Sequence, residues 1–420
     1  PGVLVSYVIA GFIALAVMYS LSEMAVAHPT PGSFGTYAEL YLNPWAGFLV
    51  RYAYWAAQVV AIGGEAVAIG HYFNFWFPGF PVWATALLSG FTIFAINSRS
   101  VGSFGSVEYW LSTIKVTAIV VFILFGIASI FGVGTPAVGF ANYMADGGPF
   151  PHGFGGVWMA VIMAVFSFTG VEVIAVTSGE AENPQESVPR AMKTMLLRLA
   201  LFYFLALAVI LAITPWSQSG ARVVTESPFV KVFATFGLGY VATVMNFVIM
   251  SAALSSMNTN LYLCTRMIFS LARSGDAPAG LGVVNARGIP LRAAALSTCG
   301  VFVAAMTAYV SGKAYNYLFG IALFGTILTW LIILATHLQF RRKYPAEKLA
   351  ALSSRAPFSP YLQWVAFLLL ASVLITMGLD TEFWNIAIIV GLPWVAVVSL
   401  AWFILQRRRA AAALVEAIEN

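Results

Sequence analysis

Runs of about twenty mostly apolar residues recur eleven times along this 420-residue chain, and each is long enough to cross the ~30 Å of hydrocarbon in a bilayer as a helix. They cover 2–24, 45–73, 82–96, 110–131, 157–178, 196–213, 239–271, 293–309, 317–338, 361–377 and 383–405. The third is short, and Pro81 and Ser98 extend it. Only 9% of the residues are charged, against about 25% in soluble domains, which excludes a single water-soluble core of this size. Charges are scarce in membrane spans because each costs free energy in hydrocarbon.

The net charge of +5 does not point to nucleic acid, because the basic residues form no tract interleaved with aromatic ones. They mark topology instead. With the C-terminus taken as cytoplasmic, 17 of the 21 Lys and Arg fall in inner loops or helix ends, Arg222, Lys231 and Lys313 fall outside, and Lys115 lies within a span. The expected division is a transmembrane domain over 1–409 and a cytoplasmic tail over 410–420, with a short helix over 410–418. An odd number of spans then puts Pro1 outside, and no initiator Met or basic signal region precedes it, so one further helix is expected in front. Cys264 and Cys299 lie within apolar runs and predict no disulfide, and His28, His71, His152 and His337 have no metal-ligand spacing. No metal or cofactor is expected.

Three stretches carry a resemblance. They are Ser22-Glu23-Met24-Ala25-Val26-Ala27-His28-Pro29 with Gly32-Ser33-Phe34 and Thr36-Tyr37-Ala38; Phe166 to Glu172 running into Gly179-Glu180-Ala181-Glu182-Asn183-Pro184; and Ser270 to Pro278. In this order and spacing they resemble bacterial amino-acid permeases of the amino acid–polyamine–organocation superfamily. The resemblance implies an all-α polytopic membrane protein with a 5+5 inverted-repeat, LeuT-like transporter fold, eleven of whose twelve helices are the runs above. It also identifies the expected preceding helix as helix 1, whose Gly-rich unwound stretch binds the substrate α-carboxylate in this family. A chain without that helix is expected not to transport.

Several residues sit where polar groups need a reason. Ser167 to Gly170 fall near the bilayer midplane, counting ~1.5 Å per residue from Val157. Gly170, among Ser167, Thr169 and Val171, weakens the helix there, either to open backbone groups and half-helix dipoles to a zwitterion or simply to pack against a neighbouring helix. By resemblance, Phe166 is an aromatic gate over the substrate, with Phe168 and Thr169 as its side-chain pocket. Glu172, just beyond, is either protonated or partnered, and serves either as a structural tie or in coupling. Arg51, Gln58 and Glu65 recur every seven residues and share one helix face, with Arg51 and Glu65 about 21 Å apart, too far to pair. Arg51 either snorkels to the inner interface or finds a separate partner, while Glu65 is a candidate for proton titration or for facing a substrate amine.

Ser251, Ser255 and Asn258 continue the pattern on a later span with Asn246, either as interhelical glue or, by resemblance, as part of a cation site; Ser255 and Ser256 are candidate proton-coupling hydroxyls. Lys115 either snorkels or, because a lysine here in proton-coupled relatives takes the place of sodium, acts as a proton switch. The charged run from Glu180, Glu182 and Glu186 to Arg190, Lys193 and Arg198 is expected to be a solvated face or a gate pairing with Arg266 or Arg273. Ser227 to Val230 is expected to open a short external helix.

These readings give the expected function as secondary transport of an amino acid, neutral or aromatic, in symport with a proton in the inner membrane. The alternatives are an exchanger or a non-transporting receptor. Neither an H-E-x-x-H nor a G-x-S-x-G motif is present, so no enzyme is expected.

Overall fold

Backbone groups in hydrocarbon have no water to bond, so each apolar run closes its own hydrogen bonds as a helix. The computed structural model describes residues 1–419 except 31, 100, 179–182, 220–227, 235, 238–239 and 382–383. In chain order the helices are α1 (Val3–Ala27), α2 (Ser33–Tyr41), α3 (Pro44–Phe73), α4 (Val82–Asn97), α5 (Val101–Phe131), α6 (Gly153–Ser167), α7 (Val173–Ser178) and α8 (Pro184–Ile213). They continue with α9 (Pro228–Ala234), α10 (Val241–Arg273), α11 (Leu291–Val310), α12 (Ala314–Lys343), α13 (Ala346–Ala350), α14 (Tyr361–Leu379) and α15 (Asn385–Glu419). Among the described residues eight helices are long and apolar enough to span a membrane, and Val82–Asn97, Gly153–Ser167 and Leu201–Ile213 are shorter apolar helices in the remaining runs.

Helix α3 is the central post. Asn43 caps it by accepting from the Ala46 N–H at 2.9 Å, and Pro44 opens its first turn where no N–H is needed. It packs against α2, α4, α10, α11 and α12. Two of these seams depend on glycine. A Cβ on Gly300 of α11 would lie 2.5 Å from the Val59 carbonyl oxygen, and one on Gly325 of α12 would lie 3.0 Å from that of Ala53. Large apolar side chains such as Leu124, Val303, Leu368 and Leu400 face outward, as a lipid-facing surface requires.

The helix ends differ from hydropathy in four places. The fifth run splits into α6 and α7, joined by turns over 168–172. α5 begins at Val101 rather than 110, which brings Glu108 into the helix. α8 begins at Pro184, so the charged run from Glu186 to Arg198 forms its first turns rather than a loop; Glu180 and Glu182 lie outside the described residues. Residues 410–418 are the end of α15, not a separate helix. Pro228 to Val230 do open the short α9, while Ser227 lies outside the described residues.

Arg51 does not snorkel. Its side chain is only 3% exposed, and Nη2 lies 3.2 Å from Glu39 Oε2 while Nη1 lies 3.8 Å from Asp276 Oδ2. Arg409 of α15 reaches the same Asp276, at 2.8 Å. A second ionic cluster ties α1 to α12: Glu23 Oε2 meets His337 Nε2 at 2.7 Å, and Glu23 Oε1 meets Arg341 Nη2 at 2.8 Å. The Ala356 N–H donates to Glu23 at 3.0 Å, and Ser22 shares a 2.8 Å hydrogen bond with Ser354, so the strand of chain before α14 is strapped onto α1.

Candidate functional site

The α6–α7 break is built by three local choices. Gly170 takes φ +98°, a backbone state that L side chains rarely adopt. The Gly170 N–H, released from the helical ladder, donates to Glu172 Oε2 at 3.1 Å. The carbonyl of Ser167, at the end of α6, accepts from the Tyr203 hydroxyl of α8 at 2.6 Å, and the Ser167 hydroxyl pairs with Tyr7 of α1 at 2.7 Å. These two freed backbone groups are thus met by side chains, one from the break itself and one from α8, the condition for an irregular segment at membrane depth.

Glu172 is completely buried and also accepts from Trp330 Nε1 of α12 at 3.2 Å, with the buried Tyr54 of α3 beside it. Through Oε2 this carboxylate ties the break to α12, while Oε1 is buried with no hydrogen-bond partner among the described residues. A carboxylate served by several donors is far less costly to bury than a bare one.

Beside the break lies a cavity of about 310 Å³. Phe166, Ser167, Thr169, Gly170 and Glu172 line one wall, with Gln58 and Glu65 of α3 and Ser256 and Asn260 of α10 also lining it. Tyr203, Tyr315 and Phe319 complete an aromatic lining, and the Phe166 and Phe319 rings are 3.8 Å apart between centroids. Ser256 and Glu65 stand together on the cavity lining. The seven-residue spacing on α3 therefore does place Gln58 and Glu65 together. Phe168 is not brought in: it is buried against Tyr203 and Tyr7, with ring centroids 5.3 and 6.0 Å away.

Lys115 and Ser255 also lie off the cavity, in an adjoining polar network. Lys115 Nζ donates to Ser255 Oγ at 2.6 Å and lies 3.7 Å from Glu108 Oε1 on its own helix. Glu65, on the cavity lining, is an opposite charge within electrostatic range of Lys115. Asn258 of α10 joins the network, whereas Asn246 donates to the Tyr72 carbonyl of α3 at 2.8 Å as interhelical glue. Sequence reasoning missed Glu108, although it stands seven residues before Lys115 and therefore on the same helix face.

Residues 1–415 match the amino acid permease family. The match begins at residue 1, so the expectation of a missing helix in front of Pro1 is not borne out. The chain is 36% identical to the uncharacterized amino acid permease YtnA of Bacillus subtilis over 407 residues, covering 96% of this chain and 87% of that protein. It is 33% identical to the gamma-aminobutyric acid permease of the same organism, covering 97% and 87%. With the aromatic amino acid transport protein AroP of Escherichia coli K12 the identity is 36%, covering 90% and 82%. Among solved structures, a manganese transporter of Eremococcus coleocola superposes with a TM-score of 0.61 at 12% identity, covering 97% of this chain and 88% of that one, a likeness of fold. Fold and sequence agree that this chain is a multi-pass membrane protein belonging to the amino acid permease family.

Proposed function

We propose that this permease carries an amino acid across the cytoplasmic membrane by alternating access, with a proton as the coupling ion and its C-terminus on the cytoplasmic side. The observation that carries this reading is the unwound segment at Gly170 opening on a cavity of about 310 Å³ between two polar helices. Broken helices at such a site present half-helix dipoles to the charged ends of a zwitterion. In this reading Ser167, Thr169 and Gly170 receive the substrate backbone and Glu65 faces its amine. Phe166, with Phe319, Tyr203 and Tyr315, encloses a neutral or aromatic side chain. Two relatives named for transport of aromatic amino acids and for permeation of gamma-aminobutyric acid support an amino-acid substrate. Lys115 is the proton carrier, with Ser255 its bonded neighbour and Ser256 standing with Glu65 on the cavity lining.

The test is reconstitution into liposomes with an imposed pH gradient. Labelled phenylalanine is expected to accumulate against its gradient and to leak out when a protonophore is added. Uptake that instead requires amino acid preloaded on the opposite side would establish an exchanger, and binding without uptake a receptor.

Gly170 supplies a second test. No heavy atom lies within 4 Å of a Cβ built there, so Gly170→Ala adds no clash and changes only the backbone preference. An L residue in the left-handed region costs about 1–2 kcal/mol, or roughly tenfold in any step that needs the break. Uptake is expected to fall by about that factor at unchanged membrane yield. Gly105→Ala, equally uncrowded but at an ordinary helical position, is the control.

A further inference from the structure

Glu108 is a charged side chain within a span that the proposed mechanism does not use. Its side chain is 22% exposed, and the groups around it are arranged for an anion. Oε1 accepts from Ser112 at 2.8 Å and from Ser255 at 2.5 Å, while Oε2 accepts from Asn258 at 3.4 Å. Asn258 in turn accepts from Asn97 of α4 at 2.9 Å. One carboxylate therefore gathers α4, α5 and α10 around a single charge.

Lys115 completes the arrangement. Ser255 accepts a hydrogen bond from its ammonium and donates one to Glu108, so the hydroxyl bridges the two charges. The geometry points to Glu108 as the positioning residue for Lys115: its carboxylate holds the protonated amine at the seam between α5 and α10, and loss of the lysine proton loosens that seam. This rests on reading Lys115 as the proton carrier.

The balance is electrostatic. With Lys115 protonated, network and cation neutralise each other across 3.7 Å. With Lys115 neutral, a half-buried carboxylate keeps its donors but loses its counter-charge, and the α5–α10 tie weakens. Other charges facing Lys115 are Glu65 of α3, an opposite charge, and Arg198 of α8, a like one; Arg190 of α8 lines the same groove. Among the described residues α10 brings the neutral Ser255 and Asn258, and α9 packs on Phe122 and Phe125 at the other end of α5. Removing Glu108 thus removes one of two anions that favour the protonated amine.

The test is the pH profile of gradient-driven uptake in liposomes for wild type, Glu108→Gln, Glu108→Asp, Ser255→Ala and Lys115→Met. Glu108→Gln is expected to move the pH of half-maximal uptake down by about one unit, and Glu108→Asp to restore most of it. A carboxylate that only supports packing would lower uptake at every pH without moving the midpoint, and that result overturns the proposal. Should Glu108→Gln fail to reach the membrane, Ser255→Ala keeps both charges and removes the bridge; a midpoint equal to wild type there overturns the proposal equally. If Lys115→Met retains gradient-driven accumulation, the underlying reading of Lys115 fails. If it loses accumulation while Glu108→Gln keeps the wild-type midpoint, only the role of Glu108 fails.

Discussion

Replacing Lys115 by Met is expected to abolish pH-driven accumulation while leaving exchange of internal for external amino acid intact. One pH unit stores 1.36 kcal/mol per proton, so a two-unit gradient coupled to one proton supports accumulation of up to about 100-fold, whereas an uncoupled carrier equilibrates at about one-fold. Met keeps the length and apolar stem of Lys115 and deletes the ammonium, so the Ser255 bond is lost with little change in packing. The cavity lining does not include Lys115, so substrate affinity measured by exchange is expected to remain within a few-fold of wild type. Accumulation above about tenfold in the Met variant under the same gradient would sink the coupling role.

The second large effect concerns stability. Glu23→Ala removes the anion shared by His337 and Arg341 and orphans the Ala356 N–H, all at the joint of α1, α12 and the strap before α14. Glu23 and His337 are both 0% exposed, so His337 is left in the interior without its partner, while Arg341, 22% exposed, keeps some access to water. Breaking a buried ion pair by deleting one partner costs about 3–5 kcal/mol. Buried Cys264 offers the measurement, because a thiol-reactive fluorogenic dye reaches it only when the bundle opens, over a steady background from exposed Cys299. Glu23→Ala is expected to unfold at clearly lower temperature in detergent, with Glu23→Gln in between. A melting curve superimposable on wild type would show that the cluster contributes no net stability.

The eleven runs were legible because hydrocarbon thickness imposes a length that hydropathy counts directly. Helix ends were less so. Glu108 and the charged residues from Glu186 to Arg198 lower hydropathy without opposing a helix, so α5 and α8 begin earlier than their apolar runs, α8 even with Pro189 inside it. The α6–α7 break was legible in Gly170 and its polar neighbours, whereas Phe168 was misplaced because one residue of turn rotates a side chain to another face. Tyr203, Tyr315 and Phe319 come from helices distant in sequence, and nothing in local spacing announces that they enclose one cavity. Arg51 was open between snorkelling and a separate partner because its partners, Glu39 and Asp276, lie 12 and 225 residues away on other segments, beyond the reach of periodicity within α3.

Helix α15 has 35 residues and so runs about 52 Å, well beyond the ~30 Å of hydrocarbon. That leaves turns in excess of one crossing, and Arg409 clasps the Gly275 carbonyl and Asp276 at the foot of α10. A rod fixed at that point acts as a pointer: a small angular change at its foot is magnified at its tip. A spin label on the last turns, paired with one on α10, would read out the carrier's cycle as a distance distribution, without any reporter in the cavity.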